Sequence, residues 1–114
     1  MIAVIFEAET NPAHTVEYLN AAAVLRPQLE KFDGFISIER FESLSAPGRI
    51  LSLSFWRDEE AVKKWRNLEA HRAIQVLGRD HIFADYRLRV AEVIRDYGMR
   101  DRDAAPDDSR RAHD

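Results

Sequence analysis

Phe35-Ile36-Ser37-Ile38-Glu39-Arg40-Phe41, the loop Ser45-Ala46-Pro47-Gly48 and the return Ile50-Leu51-Ser52-Leu53-Ser54-Phe55-Trp56 decide the fold. Two β-rich runs joined by a Pro-Gly turn read as a hairpin. Upstream, Ile2 to Ala8 is a further short β-rich run, and Asn11-Pro12-Ala13 is a turn signal. Thr15 is placed to cap a helix that would bury Val16, Leu19 and Ala23, and Pro27 predicts a kink or restart. Asp33-Gly34 ends that segment.

After the hairpin, Asp58 supplies an N-cap, Glu59 and Glu60 suit the positive end of the helix dipole, and Ala61, Val62 and Trp65 make an apolar face. Asn67 reads as a second cap, opening a helix with Ala70, Ala73, Ile74 and Leu77 inward and Gly78 as its stop. A last strand is expected over about Tyr86 to Arg95. The order β-α-β, β-α-β predicts an α+β fold: a ferredoxin-like four-stranded antiparallel sheet with helices on one face. The domain is expected over residues 1–98. Residues 99–114 carry nine charges and no large apolar side chain beyond Met99, and are expected to be a disordered tail.

The composition narrows the function. The chain has 114 residues, 46% hydrophobic and 32% charged, with a net charge of -3, which disfavours a nucleic-acid partner. With no cysteine there is no disulfide, thiolate metal site or thiol nucleophile. No apolar run is long enough to span a membrane, and no signal peptide is visible, so a cytoplasmic location is expected. The four glycines form no phosphate-binding loop, and no His or carboxylate pair shows metal-ligand spacing. No metal or cofactor is therefore expected.

Side chains alternate across a strand. Ile36, Ile38, Leu51, Leu53 and Phe55 are assigned to the helix-covered face, and Phe35, Ser37, Glu39, Phe41, Ile50, Ser52, Ser54 and Trp56 to the other. A face so rich in aromatics invites a second copy, so a homodimer is expected, with a cavity where serines replace bulk.

Two stretches, Leu25–Leu44 (LRPQLEKFDGFISIERFESL) and Leu51–Arg66 (LSLSFWRDEEAVKKWR) followed by His71-Arg72, resemble the antibiotic biosynthesis monooxygenase family. The resemblance covers about residues 2 to 98 and implies a dimeric α+β barrel. It also implies a cofactor-independent monooxygenase of a small aromatic or polyketide-like substrate. The alternatives are a non-catalytic, stress-related dimer that binds a small molecule or haem, and a haem-degrading monooxygenase. Haem-degrading members carry an Asn on the first strand, a Trp after the third strand and an iron-ligating His ten residues beyond it. Here Trp65 matches, but Gln75 stands at the ligand position and Met1 to Glu9 holds no Asn.

For an oxygenase without a cofactor the site needs a base, oxyanion donors and a dry aromatic pocket. His71 is the expected base, His81 a second candidate, and Trp65 the other expected catalytic residue, with core packing as its alternative; His14 and His113 read as solvated. Trp56, Ser52, Ser54, Glu39, Phe83 and Tyr86 are the expected substrate-binding residues for a small hydrophobic or aromatic ligand. Arg87 and Arg89 are possible cationic donors, and Glu39 could instead pair with Arg49, Arg87 or Arg89.

Overall fold

The computed structural model describes residues 1–68, 72, 75 and 83–114. Its elements are β1 (Ile2–Thr10), a 3-10 turn (Pro12–His14), α1 (Thr15–Glu30), β2 (Phe35–Glu42), β3 (Arg49–Trp56), α2 (Glu59–Arg66), β4 (Phe83–Glu92) and α3 (Asp107–His113). The strands form one antiparallel sheet in the order β2-β3-β1-β4. This is the expected ferredoxin-like α+β architecture. The helix expected over residues 67–77 lies mostly outside the described residues. Asn67 itself closes α2, its side-chain amide donating to the Lys63 carbonyl.

The register reverses the face assignment made for β3. Ile38 stands opposite Ser54 and Arg40 opposite Ser52, while Glu39 pairs with Leu53 and Phe41 with Leu51. Ser52, Ser54 and Trp56 are buried beneath the helices, and Leu51, Leu53 and Phe55 occupy the helix-free face with Ser37, Glu39 and Phe41. Ile36 is also outside the core, 52% exposed. Two features explain the reversal. Strand β3 sets Leu51, Leu53 and Phe55 against Ser52 and Ser54, so hydrophobicity points the wrong set inward, and the serines are taken into the core side because they floor a cavity. A register shift between Phe35 and Ser37 then breaks the alternation, letting Phe35 face Trp56 although Ile38 shares that side.

Helix α1 runs unbroken from Thr15 to Glu30 through Pro27. Proline removes one backbone donor, and the helix tolerates that loss on an exposed turn. Its buried residues are Tyr18, Leu25 and Leu29. Val16 and Leu19, expected inward, are 69% and 47% exposed, and Ala23 is exposed too. The tyrosine and two leucines bury more apolar area than the predicted stripe, so they decide the orientation. Thr15 makes no cap; its hydroxyl bonds that of Thr10 at 2.8 Å.

Helix α2 follows expectation, with Ala61, Val62 and Trp65 buried and the Asp58 carboxylate accepting from Ala61 N at 2.8 Å. It is fixed to the α1–β2 turn. Gly34 has φ of +90°, and a Cβ there would come within 2.5 Å of the Ala61 Cβ. Arg57 N donates to Gly34 O at 2.7 Å. The Arg57 guanidinium grips Asp33 through two bonds, at 3.0 and 3.2 Å, and Asp58 at 3.0 Å. Hydrogen bonding and charge from Arg57 hold the Asp33 carboxyl below its usual range. The Ala61 amide, then Arg57, does the same for Asp58, and these bonds to Asp33 and Asp58 raise Arg57.

The core gathers Leu25, Leu29, Trp56, Ala61, Val62 and Trp65, with Phe32, Phe35 and Ile38 against it. The C-terminal segment, expected to be disordered, instead carries α3 and folds upon itself. Arg102 bonds Asp114 and Ser109, Arg110 bonds the carbonyls of Arg102 and Asp103, and Ala105 is buried. Side-chain bonds to backbone carbonyls do here what apolar burial does elsewhere, and composition alone does not reveal them.

Candidate functional site: a cavity between sheet and helices

A cavity of about 600 Å³ lies between the sheet and α1 and α2. Its floor is the helix-covered face: Val4 and Phe6 of β1, Ile38 and Arg40 of β2, Ser52, Ser54 and Trp56 of β3, and Tyr86, Leu88 and Val90 of β4. Tyr18, Ala21, Ala22, Leu25 and Leu29 of α1 form one wall, and Val62, Trp65 and Arg66 of α2 another. The cavity exists because small side chains face each other across it. Ala21 and Ala22 of α1 and Ser52 and Ser54 of β3 all line it, and larger residues at these positions would take up its space.

Aromatic rings close both ends. At one, Trp56 and Trp65 are 6.3 Å apart, with Phe32 edge-on to Trp65 at 5.3 Å and Phe35 edge-on to Trp56 at 5.4 Å. At the other, Phe83 lies edge-on to Phe6 at 5.5 Å and to Tyr18 at 5.3 Å, with Tyr86 5.6 Å from Phe6.

Polar groups are few. Ser54 Oγ accepts from Trp56 Nε1 at 2.9 Å, which fixes the indole plane. Ser52 is buried with its hydroxyl at the cavity floor. Arg40 Nε donates to the Tyr18 hydroxyl at 3.3 Å, and its guanidinium sits 5.9 Å from the centre of that ring. Arg72 donates to Gln75 and Asn67, and Gln75 also lines the cavity.

Of the residues expected from sequence, the structure brings Trp65, Trp56, Ser52, Ser54, Phe83 and Tyr86 together around one space. Glu39 is not among them. It stands on the helix-free face, paired with Leu53, because its neighbours Ile38 and Arg40 point inward. Nor does Glu39 hold the expected ion pairs: Glu7 takes Arg89 at 3.3 Å and Arg49 at 3.7 Å. Arg89 is thereby engaged on the far face and is no cavity donor. Arg87, in register with Glu7, shares that face. His71 and His81 lie outside the described residues. His14 bonds Glu17 at 2.8 Å rather than standing alone in solvent. Among the described residues no group of three His, Asp or Glu could hold a metal ion, and no helix is long and apolar enough to cross a membrane.

Tyr18, Phe6 and Arg40 are site residues that sequence reasoning missed. Arg40 carried a usable signal: in β2 it shares parity with Ile38, the residue assigned to the core, so a cation was being turned inward.

The chain is thus a ferredoxin-like α+β domain with an aromatic-lined hollow beneath its helices. Residues 1–77 match the antibiotic biosynthesis monooxygenase family, and the chain belongs to it. It is 50% identical over 93 residues to the jasmonate monooxygenase ABM of Pyricularia oryzae, a match covering 82% of this chain. The chain spans only 43% of that longer relative. It is also 32% identical over 89 residues to YqjZ of Bacillus subtilis, an uncharacterised protein, covering 78% of this chain and 71% of that one. The fold is shared with Rv0793 of Mycobacterium tuberculosis at a TM-score of 0.76 and 14% identity, covering 85% and 98% of the two chains. It is shared equally with an antibiotic biosynthesis monooxygenase candidate from Deinococcus radiodurans, at 0.73 and 18% identity, covering 86% and 97%.

Proposed function

We propose that this chain is a monooxygenase that takes a small, largely apolar molecule into the cavity and oxidises it with O₂ directly, without a metal or flavin. The supporting observation is the cavity itself: about 600 Å³, aromatic at both ends, with few polar groups. The class of reaction that needs least from the protein is oxidation of an activated methylene. A base removes a proton, the resulting carbanion or enolate gives up electrons to O₂, and one oxygen atom stays as a carbonyl while the other leaves as water. The sum, R₂CH₂ + O₂ → R₂C=O + H₂O, balances without an external reductant. The cavity's part is to exclude water and hold the acidic carbon near the base. His71 is the base we assign, from its imidazole and its place in the sequence after α2, and Trp65, which lines the cavity, is the second residue we assign to the chemistry. Ser52, Phe83 and Tyr86 line the substrate's path, and Trp56 supplies a flat end.

Gln75 supports this reading over haem degradation. It lines the cavity at the position that the family's haem-degrading members give to their iron-ligating histidine, and an amide is a poor iron ligand. The helix-free face carries Ile5, Leu51, Leu53, Phe55 and Phe41, the last 43% exposed. We assign that face to a second copy, giving a homodimer closed sheet to sheet.

An oxygen electrode with a panel of anthrones and quinols tests the function. One O₂ should be consumed per substrate oxidised, and His71→Gln should slow turnover by about two to four orders of magnitude. A rate no higher than that of buffer across the panel would refute the oxygenase reading.

A further inference from the structure

Cations and anions are distributed unevenly around the cavity. The chain as a whole is acidic, with 20 Asp and Glu against 17 Lys and Arg. Yet Arg40, Arg66 and Arg72 are among the described lining residues, and not one Asp or Glu is. A half-buried guanidinium without a partner is costly, and the half-buried arginines of the C-terminal segment are satisfied: Arg102 pairs with Asp114, and Arg110 donates to the carbonyls of Ala105, Arg102 and Asp103. Arg40 has no carboxylate partner among the described residues. Its one hydrogen bond there is Nε to the Tyr18 hydroxyl, which leaves the two Nη groups without an acceptor among the described residues. Tyr18 in turn accepts from Arg40, so its own O–H is available for donation. Among the described residues that proton finds no acceptor.

Arg40 is also the best placed of the three. Arg72 is engaged by Gln75 and Asn67, and Arg66 is exposed at the end of α2. Arg40 rises from the sheet opposite Ser52, whose small side chain leaves room beside it. The Tyr18 ring steadies its guanidinium at 5.9 Å. A planar fork of N–H donors beside a phenol O–H, at one end of an apolar chamber, matches a carboxylate attached to an apolar body.

We propose that the cavity selects carboxylate ligands, with Arg40 binding the carboxylate through its Nη groups and Tyr18 donating the adjoining hydrogen bond. The proposal rests on the reading of the cavity as the substrate site and adds the ligand's charge to it.

Matched acid and ester pairs test it by calorimetric titration of the full chain: jasmonate, octanoate and 2-naphthylacetate, each against its methyl ester. At least one acid should bind roughly 10- to 100-fold more tightly than its ester, the usual weight of a charge-assisted pair shielded from water. Arg40→Gln should bring the acid's affinity down to the ester's, and Tyr18→Phe should weaken the acid by about 3- to 10-fold. The comparison of acid with ester in the unaltered chain requires no variant to fold. If no acid binds more tightly than its ester, including the case where none binds, the proposal is overturned. It is overturned as well if folded Arg40→Gln keeps the preference. Oxygen consumption separates the two readings. A chain that prefers acids but consumes no O₂ keeps the anion site and loses the oxygenase, whereas one that oxidises ester and acid equally does the reverse.

Discussion

Replacing Ser54 by alanine isolates one bond in the cavity floor. The Trp56 indole is 3% exposed, and its N–H has Ser54 Oγ at 2.9 Å as its acceptor, with Ser54 itself 6% exposed. Alanine removes the acceptor and leaves the buried donor, so the cost is the desolvation of that donor, about 1–3 kcal/mol. The lower bound applies if cavity water replaces the hydroxyl. Ser52→Ala is the matched control, since Ser52 is equally buried but has no hydrogen-bond partner among the described residues. It should cost under about 0.5 kcal/mol. Urea unfolding followed by far-ultraviolet circular dichroism should give a lower midpoint for Ser54→Ala with an unchanged slope, and its melting temperature should fall by roughly 4–12 °C. In a Trp56→Phe background, where no indole donor exists, the same serine change should cost almost nothing; the difference is the coupling of the pair. Equal costs for Ser54→Ala and Ser52→Ala, or a coupling near zero, would refute the claim that this bond orients the cavity-end tryptophan.

Gly34→Ala should destabilise the fold by about 2–5 kcal/mol in the same urea assay, since it combines a left-handed backbone with a Cβ 2.5 Å from that of buried Ala61. A neutral effect would show that α2 is free to shift. Asp33 and Asp58 have lowered pKa values in the fold, so their stabilising effect is complete above the unfolded carboxylate value, about 4, and is lost as pH falls through the folded values beneath it. Arg57→Gln should therefore flatten the acid limb of the stability profile below about pH 4, and an unchanged limb would remove Arg57 as the cause. Leu53→Glu, at the centre of the helix-free face between Ile5 and Glu39, should yield a monomer in sedimentation equilibrium while far-ultraviolet dichroism is retained. A monomeric unaltered chain would dispose of the sheet-to-sheet dimer.

The succession of elements, the hairpin and the capped start of α2 are legible because each rests on local chemistry: an apolar spacing, a Pro-Gly loop, an aspartate cap. Orientation was harder to read. In Ile50 to Trp56 the leucines and Phe55 look like the core set, whereas Ser52 and Ser54, which look like a solvent face, are buried and floor the cavity. A one-residue shift near Phe35 then carries an aromatic across the sheet, and period-two reasoning has no means of foreseeing it. In α1 the predicted stripe Val16, Leu19 and Ala23 competed with Tyr18, Leu25 and Leu29, and the larger side chains took the interior. The aromatic members of the site were recognisable by residue type. Arg40 and Tyr18 were not, because their meeting depends on how α1 lies across β2. His71, the base assigned from sequence, lies outside the described residues, so its role is decided by turnover.

The chain contains two tryptophans, and both stand in the cavity wall, 6.3 Å apart. All of its indole fluorescence therefore originates at the cavity lining. With no cysteine to interfere, a single engineered thiol near Phe83 would carry a dye as the energy-transfer partner at the far end. The unlabelled protein can report entry of a molecule by its own emission, and the labelled one can report at which end that molecule sits.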